Sequence, residues 1–187
     1  VIICYFCSMT GPEKMDGVYS PEILQFVRTA NSFCQWLESD EITSPGDFIG
    51  QSVKQLSAIY HDLLQIKETE PMMEGGNERF VTEQDWSRVL QKVLHLLGGH
   101  NEYLRIARDG EYDRSDLVSH KISEDLADIY QDIKDFTMQY RQGVEEIMND
   151  AVWEVMDHFD QHWSDKLLQA LTALNHLYTK KIDPEAG

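Results

Sequence analysis

The chain has 187 residues, is 42% hydrophobic and carries a formal net charge of −17. That length suits one domain burying about 70% of its unfolded surface, and four Trp with a 10% aromatic share argue for a packed core rather than disorder. The charge repels nucleic acid and anionic membranes, the one Lys-Lys pair sits at 180–181, and no apolar run approaches the ~20 residues that span a bilayer.

Residues 1–17 read as an N-terminal extension, either disordered or a start-site artefact. The opening VIICYFCSM is apolar but short, with no Lys or Arg ahead of it and no small-residue cleavage site, so no secretory signal is expected. MDGVYSPEIL from Met15 is the more natural opening, which makes residues 1–14 the expected artefact. Cys4-x-x-Cys7 has the spacing of half a zinc site, but no second CxxC exists and Cys34 falls in the middle of an amphipathic helix. Three cysteines are too few for a disulfide scaffold, so a reducing cytoplasm is expected.

The first helix is predicted from Ser20-Pro21, where Ser caps and Pro fits the first helical position. Its buried face is Ile23, Phe26, Val27, Ala30, Phe33, Cys34 and Leu37. Ser44-Pro45-Gly46-Asp47 repeats the start signal, followed by Phe48, Ile49, Val53, Leu56, Ile59, Tyr60 and Leu63. Glu68–Arg79 carries Pro, a Gly pair and mixed charge, and reads as a loop. Thr82-Glu83-Gln84-Asp85 opens a third helix that Gly98-Gly99 stops. Glu102–Arg108 is predicted as a short helix presenting Tyr103, Leu104 and Ile106, and Asp109-Gly110 starts a charged connection.

Another helix is expected to start near Ser115 or Ser123 and to end at Gly143. Within it Ile122, Leu126, Ile129, Ile133, Phe136 and Tyr140 stay within about 80° of one another on a helical wheel. Asp125, Asp128, Asp132 and Asp135 form a second stripe on one flank, also about 80° wide. Strand alternation would put Ile and Asp on the same faces, so this segment is a helix. Val144–Lys180 reads as one long helix or as two joined near Gln161–Ser164. No strict alternation of Val, Ile or Thr and no Asn-Gly turn is present, so no strand is predicted. The expected fold is all-α: a single-domain bundle of five to seven helices over residues 18–180, with a tail at 181–187.

Several landmarks occur in one order. They are Val81-Thr82-Glu83-Gln84-Asp85-Trp86, then Asn101-Glu102-Tyr103-Leu104, then ISEDLADIYQDIKDF from Ile122. Gly143–Ala151 (GVEEIMNDA), Phe159…Trp163 and Lys166–Leu171 (KLLQAL) continue the series. In these the chain resembles the bacterial domain-of-unknown-function family numbered 5063, over about residues 18–178. The resemblance implies an all-helical fold and carries no activity, ligand or functional residue.

Residues 123–165 hold twelve acids against Lys134 and Arg141, so a charged functional face is expected there. Paired carboxylates one helical turn apart can hold one hard cation. Asp125-x-x-Asp128 with Glu145, Glu146 and Asp150 is faintly similar to the Mg²⁺ sites of all-α nucleotide pyrophosphatases of the MazG type. The blocks run in reverse order, Asn149 stands where an acid is expected, and basic residues to grip phosphate are scarce. Glu154, His158 and His162 share a helix face as three possible metal ligands, yet Phe159 follows His158, so no HExxH base is present. Trp86, Trp153, Phe159 and Trp163 read as core, with Trp163 also a candidate partner anchor. No nucleophile motif or Gly-rich phosphate loop occurs.

The functional expectation is a non-catalytic cytoplasmic module that needs no cofactor. It would bind an unknown protein partner, or pair as a homodimer, through an acidic face including Asp128, Asp132, Asp135 and Trp163. The alternative is a phosphohydrolase dependent on Mg²⁺ or Mn²⁺. Neither reading involves nucleic acid or membrane.

Overall fold

The structure, a computed structural model, describes residues 17–41, 44–106 and 117–181. The expectations for the N-terminal extension with Cys4-x-x-Cys7, for the connection at Asp109-Gly110 and for the tail beyond Lys181 lie outside the described residues. A 3₁₀ turn at Gly17–Tyr19 leads into α1 (Pro21–Glu38), where the Ser20 hydroxyl accepts from the Ile23 amide and Pro21 occupies the first turn. Helix α2 (Pro45–Leu63) starts in the same way, Ser44 accepting from Asp47 N. Helix α3 (Glu83–Leu97) opens on a capping box: Thr82 Oγ1 takes the Asp85 amide while Asp85 takes the Thr82 amide. It ends at Gly98, whose φ of +50° a side chain would strain.

Beyond that point one expectation fails. Glu102–Ile106 is a strand, β1, paired antiparallel with β2 (Leu117–Lys121) in the register Glu102↔Lys121, Tyr103↔His120, Leu104↔Ser119. Strand geometry sends alternate residues to opposite faces, which turns Tyr103 and Arg105 together toward the helices. Five residues are too few for either period to show in sequence, and the strand is fixed only by its pairing with β2.

Helix α4 (Ile122–Tyr140) follows β2 without a linker. It has no side-chain cap of its own; Asn101, from the far side of the hairpin, supplies one. The Asn101 carbonyl accepts from Ile122 N, its Oδ1 accepts from Ser123 N, and its Nδ2 donates to Ser123 Oγ. Helix α5 (Glu145–His158) and helix α6 (Ser164–Lys180) complete the chain, joined by one π turn at Phe159–Trp163. The break falls where two joined helices were one expected form, and its cause is geometric. The core positions Val155, Phe159, Trp163 and Leu167 are spaced by four residues three times running. On a straight α-helix that spacing drifts about 120° around the axis. A wider π turn takes up the drift and keeps all four inside.

Among the described residues six α-helices and the small hairpin therefore enclose one continuous core. Helix α4 runs through its centre, packed on α1, α3, α5 and α6. Its apolar stripe is buried along its whole length, with the Phe136 ring 4.9 Å from Phe26 and 5.7 Å from Tyr140. Cys34 is buried beside it, and burial pushes its thiol up to about 12, far from reactivity. No helix among the described residues is long and apolar enough to cross a membrane.

Truncating the centre of this core tests the assignment. Phe136→Ala is expected to cost about 3–5 kcal/mol in urea unfolding. Thr82→Ala, which removes only the α3 cap, is expected to cost about 1 kcal/mol. Equal costs for the two would contradict the central position of α4.

Candidate functional site

The aspartate stripe of α4 does not face solvent. Every one of the helix's 19 residues is buried or half-buried; Asp125 and Asp135 are fully buried, and Asp128 and Asp132 are partly so. A helical wheel sees only α4, and two other segments cover this flank: the hairpin that leads into it, and the sequence-remote connection 64–82 between α2 and α3.

That connection is an extended strap without helix or strand over residues 67–82, so its backbone amides need partners from elsewhere. Carboxylates of α4 and α5 supply them. Asp150 accepts from Met72 N and Met73 N at 2.6 and 2.8 Å, and Glu154 accepts from Asn77 N at 2.6 Å. Asp135 Oδ1 accepts from Phe80 N and Val81 N at 2.6 and 2.9 Å. Amide side chains take the strap's carbonyls: Asn149 donates to Glu70 O and Gln139 to Glu78 O. The Gly75-Gly76 pair turns the strap with φ of +100° and +72°, and a Cβ on Gly76 would stand 3.1 Å from the Glu154 carboxylate. This is the work that the central acids perform.

The remaining acids of the stripe are also engaged. Asp125 accepts the Tyr103 hydroxyl at 2.6 Å, and Asp128 accepts Trp86 Nε1 at 2.9 Å and pairs with Lys166. Asp132 lies 2.9 Å from His158 Nδ1 and 3.2 Å from Arg79, which also reaches Asp135. The Asp132 hydrogen bond raises the His158 pKa, against burial and the nearby Arg79. Burial pushes Asp125 up to about 6, opposed by the Tyr103 hydroxyl and Lys166.

The candidate metal carboxylates are thereby dispersed. Asp125 and Asp128 point to Tyr103 and to the Trp86–Lys166 pair, Asp150 to the strap, while Glu145 and Glu146 stand exposed in the first turn of α5. Glu154 is held by the strap, and His158 and His162 have ring centroids 5.6 Å apart with Arg79 against His158. Among the described residues no three His, Cys, Asp or Glu side chains gather so as to hold a metal ion. Trp163, the candidate anchor, is 1% exposed and packs edge-on against Phe159. Its place in the core follows from the π turn.

The hairpin is one place where the surface offers apolar side chains beside a cleft. Leu104, Leu117 and Val118 are exposed to 65%, 63% and 40%. Between β1 and α6 a cleft of about 370 Å³ opens onto Ile122, Ala173 and Leu177, with Arg105 in its wall. Arg105 donates Nε to His120 at 2.6 Å and Nη1 to Gln169 at 3.4 Å. Neither the strand pair nor the cleft was legible in the chain; the one available signal was the cluster Tyr103, Leu104 and Ile106, apolar residues in a segment too short to be a core helix.

Residues 17–180 match the family described as a domain of unknown function, DUF5063. The chain belongs to that family. Its fold is similar to the crystal structure of protein BF1032 from Bacteroides fragilis, with 29% sequence identity and a TM-score of 0.76, over 86% of this chain and 94% of that one. No curated protein matches the chain. The family assignment and the helical fold agree with the resemblance carried by the ISEDLADIYQDIKDF block.

Two measurements probe the carboxylate line. Asp135→Ala strands the Phe80 and Val81 amides and breaks a partly buried ion pair, an expected loss of about 3–5 kcal/mol with new protease cleavage inside residues 64–82. Cleavage unchanged from the parent would count against the strap. The second concerns Asp125, whose folded pKa of about 6 exceeds the unfolded value of about 3.9. Its contribution to stability is then complete below pH ~4 and is lost as the pH rises through about 6, a fall of about 3 kcal/mol. Denaturation curves across that range should show the fall in the parent protein and its absence in Asp125→Asn.

Proposed function

We propose that this DUF5063 protein is a non-catalytic helical module that works through protein contacts in the cytoplasm. One observation carries the reading: the polar groups of the acidic stripe serve the protein's own strap and hairpin, whereas the outer face of the hairpin displays Leu104 and Leu117 to solvent. Clustered exposed apolar side chains on an otherwise well-packed domain mark a contact surface. The net charge of −17 sets the kind of partner. It opposes self-pairing and favours a basic or neutral chain, drawn in by electrostatic complementarity. Exposed acids such as Glu145 and Glu146 take the steering role first assigned to Asp128 and Asp132.

The test uses purified protein as bait in extract of the native cell, with Leu104→Lys plus Leu117→Lys as the comparison. The doubly substituted protein should unfold at the parent's urea midpoint and lose the co-purifying partner, and partner recovery should fall as salt rises. Identical recovery with both baits at every salt concentration would remove the hairpin from the reading. A sedimentation experiment showing a dimer that the same pair of substitutions dissociates would assign the surface to a second copy. Calorimetric titration with Mg²⁺ and Mn²⁺ should be flat; a binding heat lost in Asp128→Asn would replace the module with the phosphohydrolase.

A further inference from the structure

The cleft between β1 and α6 has features that a protein contact does not need. Its apolar floor, Ile122 and Leu177, is buried, and Ala173 and Tyr103 flank it. Its volume of about 370 Å³ is at the small end of the range for small-molecule sites. Into this setting the strand alternation of β1 turns Arg105. The guanidinium is fixed by two neutral partners, His120 and Gln169, and no ion pair joins it to a carboxylate among the described residues. Of its five N–H groups those two bonds use two; the others find no acceptor among the described residues. In a chain with twice as many acids as bases, a half-buried cation whose hydrogen bonds go to His120 and Gln169, with Asp125 near but not in contact, stands out against ion-paired residues such as Arg79 and Lys166.

We propose that this cleft binds a small amphipathic monocarboxylate. Its apolar body would lie on Ile122, Ala173 and Leu177, and its carboxylate would accept from the free edge of Arg105, a planar fork that matches two oxygens. A monoanion suits the site better than a phosphate dianion. The acid in the lining, Glu102, faces Lys121 across the ladder, and no second lysine or arginine lines the cleft to meet a second negative charge. Asp125, the buried acid nearest Arg105, accepts the Tyr103 hydroxyl, and acids farther off are screened beyond about 8 Å at physiological ionic strength. The site shares the rim residue Leu104 with the contact surface proposed above, but its floor, Ile122 and Leu177, and its cation, Arg105, lie apart from that surface.

Calorimetric titration of the intact protein with octanoate, 3-phenylpropanoate, 1-octanol and octylamine decides it. At least one of the two carboxylates should bind with a stoichiometry of one, about tenfold or more tighter than octanol, and octylamine should not bind. Arg105→Gln should bring carboxylate affinity down to that of octanol. Ala173→Phe, which fills the cleft and leaves the guanidinium in place, should abolish both. The proposal is overturned if neither carboxylate binds at millimolar concentration or if octanol and octanoate bind alike. It also fails if Arg105→Gln, with its thermal midpoint unchanged, keeps the parent's affinity.

Discussion

Over residues 67–82 the chain passes across the helices with no ladder or helical turn to satisfy its own backbone, and that requirement organises the structure around it. Buried amide groups without acceptors cost about 1–3 kcal/mol each. Asp135, Asp150 and Glu154 meet five of them, from three points along two adjacent helices. A carboxylate is the side chain for this role because each of its oxygens accepts more than one bond and its charge strengthens every bond it accepts. The cost is that three negative charges sit near the core, and Arg79, itself part of the strap, offsets one of them, Asp135.

The strap in turn explains the placement of other residues. Glycine is required at 75 and 76 because the strap reverses there in a conformation that side chains resist, and because Glu154 approaches within contact of position 76. Asn149 and Gln139 are amides because they meet carbonyls rather than amide hydrogens. Arg79 reaches Asp132, Asp135 and His158 together, so the last residues of the strap are tied to α4 and α5 at once before α3 begins. The high acidity of residues 123–165 is thus partly architectural, and the charge left for long-range steering resides on the exposed acids.

At the other end of α4 the hairpin plays a comparable part. Asn101 caps the helix, Tyr103 covers Asp125, and Arg105 reaches toward α6, all from one strand and the residue before it. The hairpin is therefore fastened to the bundle by polar contacts along one face, and its opposite face keeps apolar side chains in solvent. That asymmetry separates the two ends of the molecule: acids facing inward at the strap, leucines facing outward at the hairpin.

Much of the helical frame was determined by sequence alone. Ser20-Pro21, Ser44-Pro45 and Thr82 with Asp85 set helix starts through bonds that span only three residues, and the apolar stripe of α4 sets its buried face through a period of 3.6. Such local rules need no knowledge of distant chain. Tertiary structure decided the rest. Whether an aspartate at the margin of a stripe meets water or a backbone amide depends on what crosses it, and the covering amides lie 54 and 55 residues away for Asp135 and 77 and 78 for Asp150. The strand identity of Glu102–Ile106 likewise depends on a pairing with Leu117–Lys121, because five residues hold too little periodicity to choose between helix and strand. The Ile122–Phe136 helix shows both limits at once. Its apolar side was readable because hydrophobic burial follows local spacing, and its acidic side was not, because a hydrogen-bond partner is a matter of position in space.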